Sequence, residues 1–164
     1  MEANFQAYKE DVAMNKPSCS ANCEIRHLIP DSSFIISAVN SRDAFHSCCY
    51  SYWKNTEGKV LWIIPDLVFF EFQAAQSRCY KGKDEPYRWL GLHRGNSRRI
   101  RLTNKLLEKI WDMRLYDTFS SLKGADLLFA CIAKAESLPL VTLDSHFEKY
   151  ADEIKIINPT KTEL

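Results

Sequence analysis

The chain has 164 residues, 46% of them hydrophobic and 26% charged, with a net charge of +1. That length suits one domain with a real core, and that balance excludes a disordered chain. The longest apolar runs, at 61–64 and 127–133, are too short to span a bilayer, and no apolar leader opens the sequence. A cytoplasmic protein with reduced cysteines is therefore expected.

Residues 1–24 carry no periodicity and read as an N-terminal extension; 160–164 read as a short tail, leaving 25–159 as the folded domain. From Ile25 the pattern alternates strands and helices. Ile25–Ile29 reads as a strand stopped by Pro30. Helices are predicted over Ser32–Asn40 and Asp43–Asn55, ending before Gly58. Val60–Ile64 is a continuous apolar strand, followed by a helix from Asp66 to about Tyr80. Residues 81–98 hold Gly82, Pro86, Gly91, Gly95 and Asn96, which is loop chemistry. Arg99–Leu102 reads as an edge strand, and Thr103 as the N-cap of a helix over Asn104–Leu115. A helix over Ala125–Glu136, a strand at Pro139–Leu143, a short helix at Ser145–Tyr150 and a last strand at Ile154–Ile157 complete the order. Strands separated by helices imply right-handed crossovers and a parallel sheet covered on both faces, with the site beyond the carboxyl ends of the strands.

Four acids fall at or near such ends. Asp31 and Asp144 each follow a strand directly, and Asp126 opens the most apolar helix; all three have an ordinary reading as helix caps or first-turn acids. Glu71 is harder to place that way. It sits inside a helix with Leu67 and Val68 one turn back and Ala74 and Ala75 one turn on, where an unpaired carboxylate is costly. Its ordinary reading is a structural salt bridge. Four carboxylates in one cleft repel each other, and a hard divalent cation relieves that. No paired His or Cys stands near these acids to suggest zinc. Cys19, Cys23 and His27 recur at every fourth position but lack a fourth ligand and the paired spacing of a zinc site; Cys48, Cys49 and Cys131 read as packing residues.

The pieces Pro30-Asp31-Ser32-Ser33-Phe34-Ile35, Ile64-Pro65-Asp66-Leu67-Val68-Phe69-Phe70-Glu71, Lys123-Gly124-Ala125-Asp126-Leu127-Leu128-Phe129-Ala130 and Leu140-Val141-Thr142-Leu143-Asp144 occur in this order. Together with Ile156-Ile157-Asn158-Pro159 they resemble the PIN-domain family, including the VapC-type toxin ribonucleases of VapBC toxin–antitoxin pairs. The resemblance covers about residues 25–159. It implies a three-layer α/β/α fold with a central parallel sheet of about five strands, and cleavage of RNA dependent on Mg²⁺ or Mn²⁺. It assigns Asp31, Glu71, Asp126 and Asp144 to the acidic site, with Ser33 and Thr142 as supporting hydroxyls. A toxin of this kind implies an antitoxin partner and a homodimer. Departures are the long N-terminal extension, the long 81–98 loop, and Ser145 and His146 where some members carry a further acid.

Substrate needs positive charge. From Arg78 to Lys105 nine basic residues oppose two acidic ones, a net +7, with Tyr80, Tyr87, Trp89 and His93 interleaved for base stacking. Arg78, Arg98, Arg99 and Arg101 are the expected RNA-binding residues; the same arginines also suit an acidic partner peptide, and an ordinary solvated loop is the plain alternative. A non-catalytic scaffold binding RNA or protein is the competing reading of the whole chain. A receiver domain or a dehalogenase-like phosphatase fits poorly, because Ser32 and Ser33 follow Asp31 where those folds want further acids.

Overall fold

The computed structural model describes residues 26–79 and 96–161. Within them five parallel strands form one sheet: β1 (Arg26–Pro30), β2 (Val60–Pro65), β3 (Ser97–Ile100), β4 (Leu140–Val141) and β5 (Ile156–Ile157), in the spatial order β3-β2-β1-β4-β5. The longest helices are α1 (Ser32–Val39), α2 (His46–Asn55), α3 (Asp66–Cys79), α4 (Asn104–Asp112) and α6 (Gly124–Ala135), with a short α5 (Leu115–Thr118) before α6. α1 packs on α2 and α3, and α4 packs on α5 and α6, giving the helix layers of a three-layer α/β/α fold.

The order of the strands decides where a site can form. From β1 the chain steps outward to β2 and β3, then returns to lay β4 on the other side of β1. In open α/β sheets such a reversal is where a ligand crevice forms, here beyond the carboxyl ends of β1 and β4. The two strands are in register there, with Ile29 opposite Leu140 and Pro30 opposite Val141, and Asp31 N–H donates to Val141 O at 3.0 Å.

β2 is a central strand buried almost throughout, which is why it reads as an unbroken apolar run. Its Trp62 is fully buried, stacked on Phe34 at 5.4 Å and on Trp53 at 4.6 Å between ring centroids. Phe34, Tyr52 and Trp53 thus belong to the core or pack on it, whereas Phe45 and Tyr50 stand exposed. Cys49 and Cys131 are buried and Cys48 is half-buried, as packing residues.

Several boundaries differ from the periodicity, each for a local reason. α2 starts at His46 rather than Asp43, because the Asp43 side chain accepts Phe45 N–H at 2.8 Å and its carbonyl accepts His46 N–H, closing a turn first. The helix expected over 104–115 breaks after Asp112, where Arg114 takes a left-handed conformation at φ 52°. β4 is only two residues long: Leu143 N–H donates to Ser33 Oγ and Asp144 N–H to Thr142 Oγ1, so side chains take the backbone bonds that would extend the ladder. Cys19 and Cys23, the loop residues from Tyr80 to Gly95 and the flanks 1–25 and 162–164 lie outside the described residues.

Candidate active site

Asp31 caps α1, accepting Phe34 N–H at 2.9 Å on Oδ1. The cap is only one of its roles. Ser33 Oγ donates to both carboxylate oxygens, at 2.8 and 2.9 Å, and Thr142 Oγ1 donates to Oδ2 at 2.5 Å from across the sheet. Thr142 Oγ1 also accepts Asp144 N–H at 2.9 Å, which ties the strand ends bearing Asp31 and Asp144 together. Asp31 is 3% exposed. Burial pushes its carboxyl up to about 6, against the pull of three hydrogen bonds, and the charge of Asp126 adds to the rise.

Asp126 stands in the first turn of α6. Gly124, at φ +55°, turns the chain into this helix in a conformation that L side chains rarely adopt. Burial raises the Asp126 pKa, with further rises from Asp144 and then Glu71, while His146 lowers it. The four acids predicted from the sequence are therefore brought within electrostatic reach through Asp126. Glu71 projects from α3 with its Oε2 buried and without a hydrogen-bond partner. A buried unsatisfied carboxylate oxygen costs on the order of several kcal/mol unless something positive meets it.

Asp144 caps the 3-10 turn Ser145–Tyr150, and His146 N–H donates to its Oδ1 at 2.8 Å. Asp126, Asp144 and His146 each bring one donor atom within 4.8 Å of the others. That donor set fits a divalent cation, and the charge of Glu71, whose Oε2 is unsatisfied, also acts on Asp126.

A family model for the PIN domain matches residues 28–153. The chain belongs to the PIN-domain family. No curated protein sequence matches it. Among solved structures, the VapBC2 complex of Rickettsia felis bound to a DNA fragment from its promoter is similar at a TM-score of 0.62 and 20% identity, covering 80% of this chain and 98% of that one. The sarcin–ricin-loop-cleaving toxin VapC20 of Mycobacterium tuberculosis is similar at 0.59 and 16%, covering 74% and 93%. FitAcB from Neisseria gonorrhoeae is similar at 0.60 and 16%, covering 82% and 99%. At these identities the likeness is one of fold, and it places the PIN architecture on this chain.

Around this PIN site the arginines divide. Arg98 and Arg101 are exposed on and after β3, and Arg78 is exposed near the end of α3. Arg99 is engaged: its Nη2 lies 2.7 Å from Asp66 Oδ1, and its guanidinium sits over Phe69 at 4.7 Å from the ring centroid. Arg99, Arg101, Lys105 and Lys109 share a groove of about 590 Å³ with Thr103 and Glu136. The residue that sequence reasoning left out of the site is His146. Its signal was the Asp144-x-His146 spacing behind a capping acid, which curls the second side chain back toward the first.

Proposed function

We propose that this PIN domain is a divalent-metal-dependent endoribonuclease, the toxin of a toxin–antitoxin pair acting in the cytoplasm. The observation that supports the reading is the approach of Asp126 to Asp144 within 4.8 Å, with Asp31 and Glu71 each electrostatically linked to Asp126 and the Glu71 Oε2 buried without a hydrogen-bond partner. In this reading 25–159 is the nuclease domain, flanked by the 1–24 extension and the 160–164 tail.

Asp31 and Asp126 would be the principal ligands of Mg²⁺ or Mn²⁺, and Glu71 and Asp144 would hold it directly or through water. A cation bound there would supply positive charge for a non-bridging phosphate oxygen and acidify a water. The remaining work belongs to the chain. Ser33 and Thr142 hold both oxygens of Asp31 in one orientation, so the ligand loses little freedom on binding. Burial of the crevice strengthens the interaction of its carboxylates with positive charge. Arg78, Arg98, Arg99 and Arg101 hold the RNA backbone, with Arg99 exchanging Asp66 for phosphate. The exposed Phe45 and Tyr50 support a second copy of the chain as partner, and the VapBC neighbour supports an antitoxin.

The test is cleavage of RNA by the purified chain with Mg²⁺ or Mn²⁺, with and without chelator. Metal-dependent internal cleavage, lost in Asp126→Asn, is expected. A folded protein that binds RNA but cuts none under either metal would instead be a PIN scaffold.

A further inference from the structure

His146 has no counterpart among the four acids. It follows Asp144 by two residues in a 3-10 turn. Because Asp144 Oδ1 accepts the His146 N–H, the turn is tight, and the imidazole Nδ1 comes to 3.4 Å from the same oxygen. Among the described residues the ring makes no other polar contact, and its side chain is 75% exposed. One donor atom each from Asp126, Asp144 and His146 already lies within 4.8 Å of the others. A hydrogen-bonded surface histidine would need only Asp144; the approach of Asp126 from a separate helix is what makes the group three-sided.

Building on the proposed nuclease site, we propose that an imidazole nitrogen of His146 is a ligand beside Asp126 and Asp144, so that the site takes a first-row transition ion of the Mn²⁺ type in preference to Mg²⁺. Mg²⁺ is a hard ion that favours oxygen donors and keeps its waters. Imidazole donates to transition ions, whose affinity for mixed nitrogen–oxygen sites rises along the first row. The neutral ring also adds a donor without adding a third negative charge to the Asp126–Asp144 pair. His146 thus sets the choice of metal, and the acids set its position.

The test uses the full chain, stripped of metal and without RNA. Mn²⁺ bound to the protein should show coupling to an imidazole ¹⁴N in pulsed electron paramagnetic resonance, and His146→Gln should abolish it. Competition titrations should show the Mn²⁺-over-Mg²⁺ preference falling by about tenfold in His146→Gln, the scale on which single residues change metal affinity. His146→Asp should restore tight binding of both ions with no nitrogen signal and no regained preference, which a merely structural histidine would not do. Bound Mn²⁺ without nitrogen coupling, or an unchanged Mn²⁺/Mg²⁺ ratio in His146→Gln, overturns the assignment of His146 and leaves the acidic site standing. A wild-type chain that binds no Mn²⁺, or binds it as well after Asp126→Asn, overturns both.

Discussion

The two halves of the acidic crevice are built in opposite ways. On the β1 side, Asp31 is buried and receives hydrogen bonds from Ser33, Thr142 and the α1 backbone. On the α6 side, burial and the charges of Asp144 and Glu71 raise the Asp126 pKa, and Glu71 Oε2 has no hydrogen-bond partner. The first half is preorganised by the fold, and the second is poised for positive charge. In the proposed nuclease, a bound cation would relieve that repulsion.

The comparison breaks most sharply at Asp126. Asp126→Asn should reduce cleavage by more than about 100-fold, beyond what loss of an outer-shell partner costs, while the metal-free protein melts no lower than wild type because a repulsion has gone. Cleavage rates alongside circular dichroism melts check this; an active variant would remove Asp126 from the site.

The braced half should announce itself through pH. The Asp31 carboxyl is raised to about 6 in the folded protein against 3.8 for the ordinary group, so the folded state binds the extra proton between these values. Metal-free stability should therefore rise as pH falls through about 6 toward 4, and be lower above that window. The shift corresponds to on the order of 3 kcal/mol. Asp126 is shifted in the same direction and adds to the trend. Denaturant titrations in chelator measure it, and Asp31→Asn should flatten the dependence; a slope that survives unchanged assigns it elsewhere.

A smaller effect sharpens the same contrast. Thr142→Val keeps the shape but deletes the hydroxyl that joins Asp31 to Asp144 N–H. Cleavage should fall about 10- to 100-fold, and the midpoint of the stability–pH curve should move upward, because that hydrogen bond lowers the Asp31 pKa. An unmoved midpoint would deny Thr142 its bracing role.

The smallest effect is expected outside the crevice. Arg98→Ala or Arg101→Ala should weaken RNA binding and flatten its salt dependence, by about 0.7 in the log–log slope for each phosphate that the variant no longer neutralises. Arg99→Ala should change the slope less, since Arg99 gives up Asp66 to reach phosphate. Equal slopes for all three variants would contradict that distinction.

Much of this arrangement was legible locally. Asp31 and Asp144 could be placed because each directly follows a short stretch read as a strand, the first stopped by Pro30 and the second running over Pro139–Leu143. The α/β alternation and Thr103 as a helix cap are of the same kind, decided by neighbours within a turn or two. What the tertiary structure alone decided involves residues far apart in the chain. Thr142 reaches Asp31 across 111 positions, Arg99 meets Asp66 across 33, and β4 stops after Val141 because Ser33 and Thr142 take its next backbone donors. Which aromatic is core was also settled in space, with Tyr52 turned under Trp62 while Phe45 faces out. Periodicity records a residue's face on its own element; it holds nothing about which other element lies against that face. The sequence by itself named four candidate acids and the elements that bear them, and the packing of β1 against β4 and of α6 over their ends decided that Asp31 would be braced, Glu71 Oε2 left without a hydrogen-bond partner and His146 brought to Asp126.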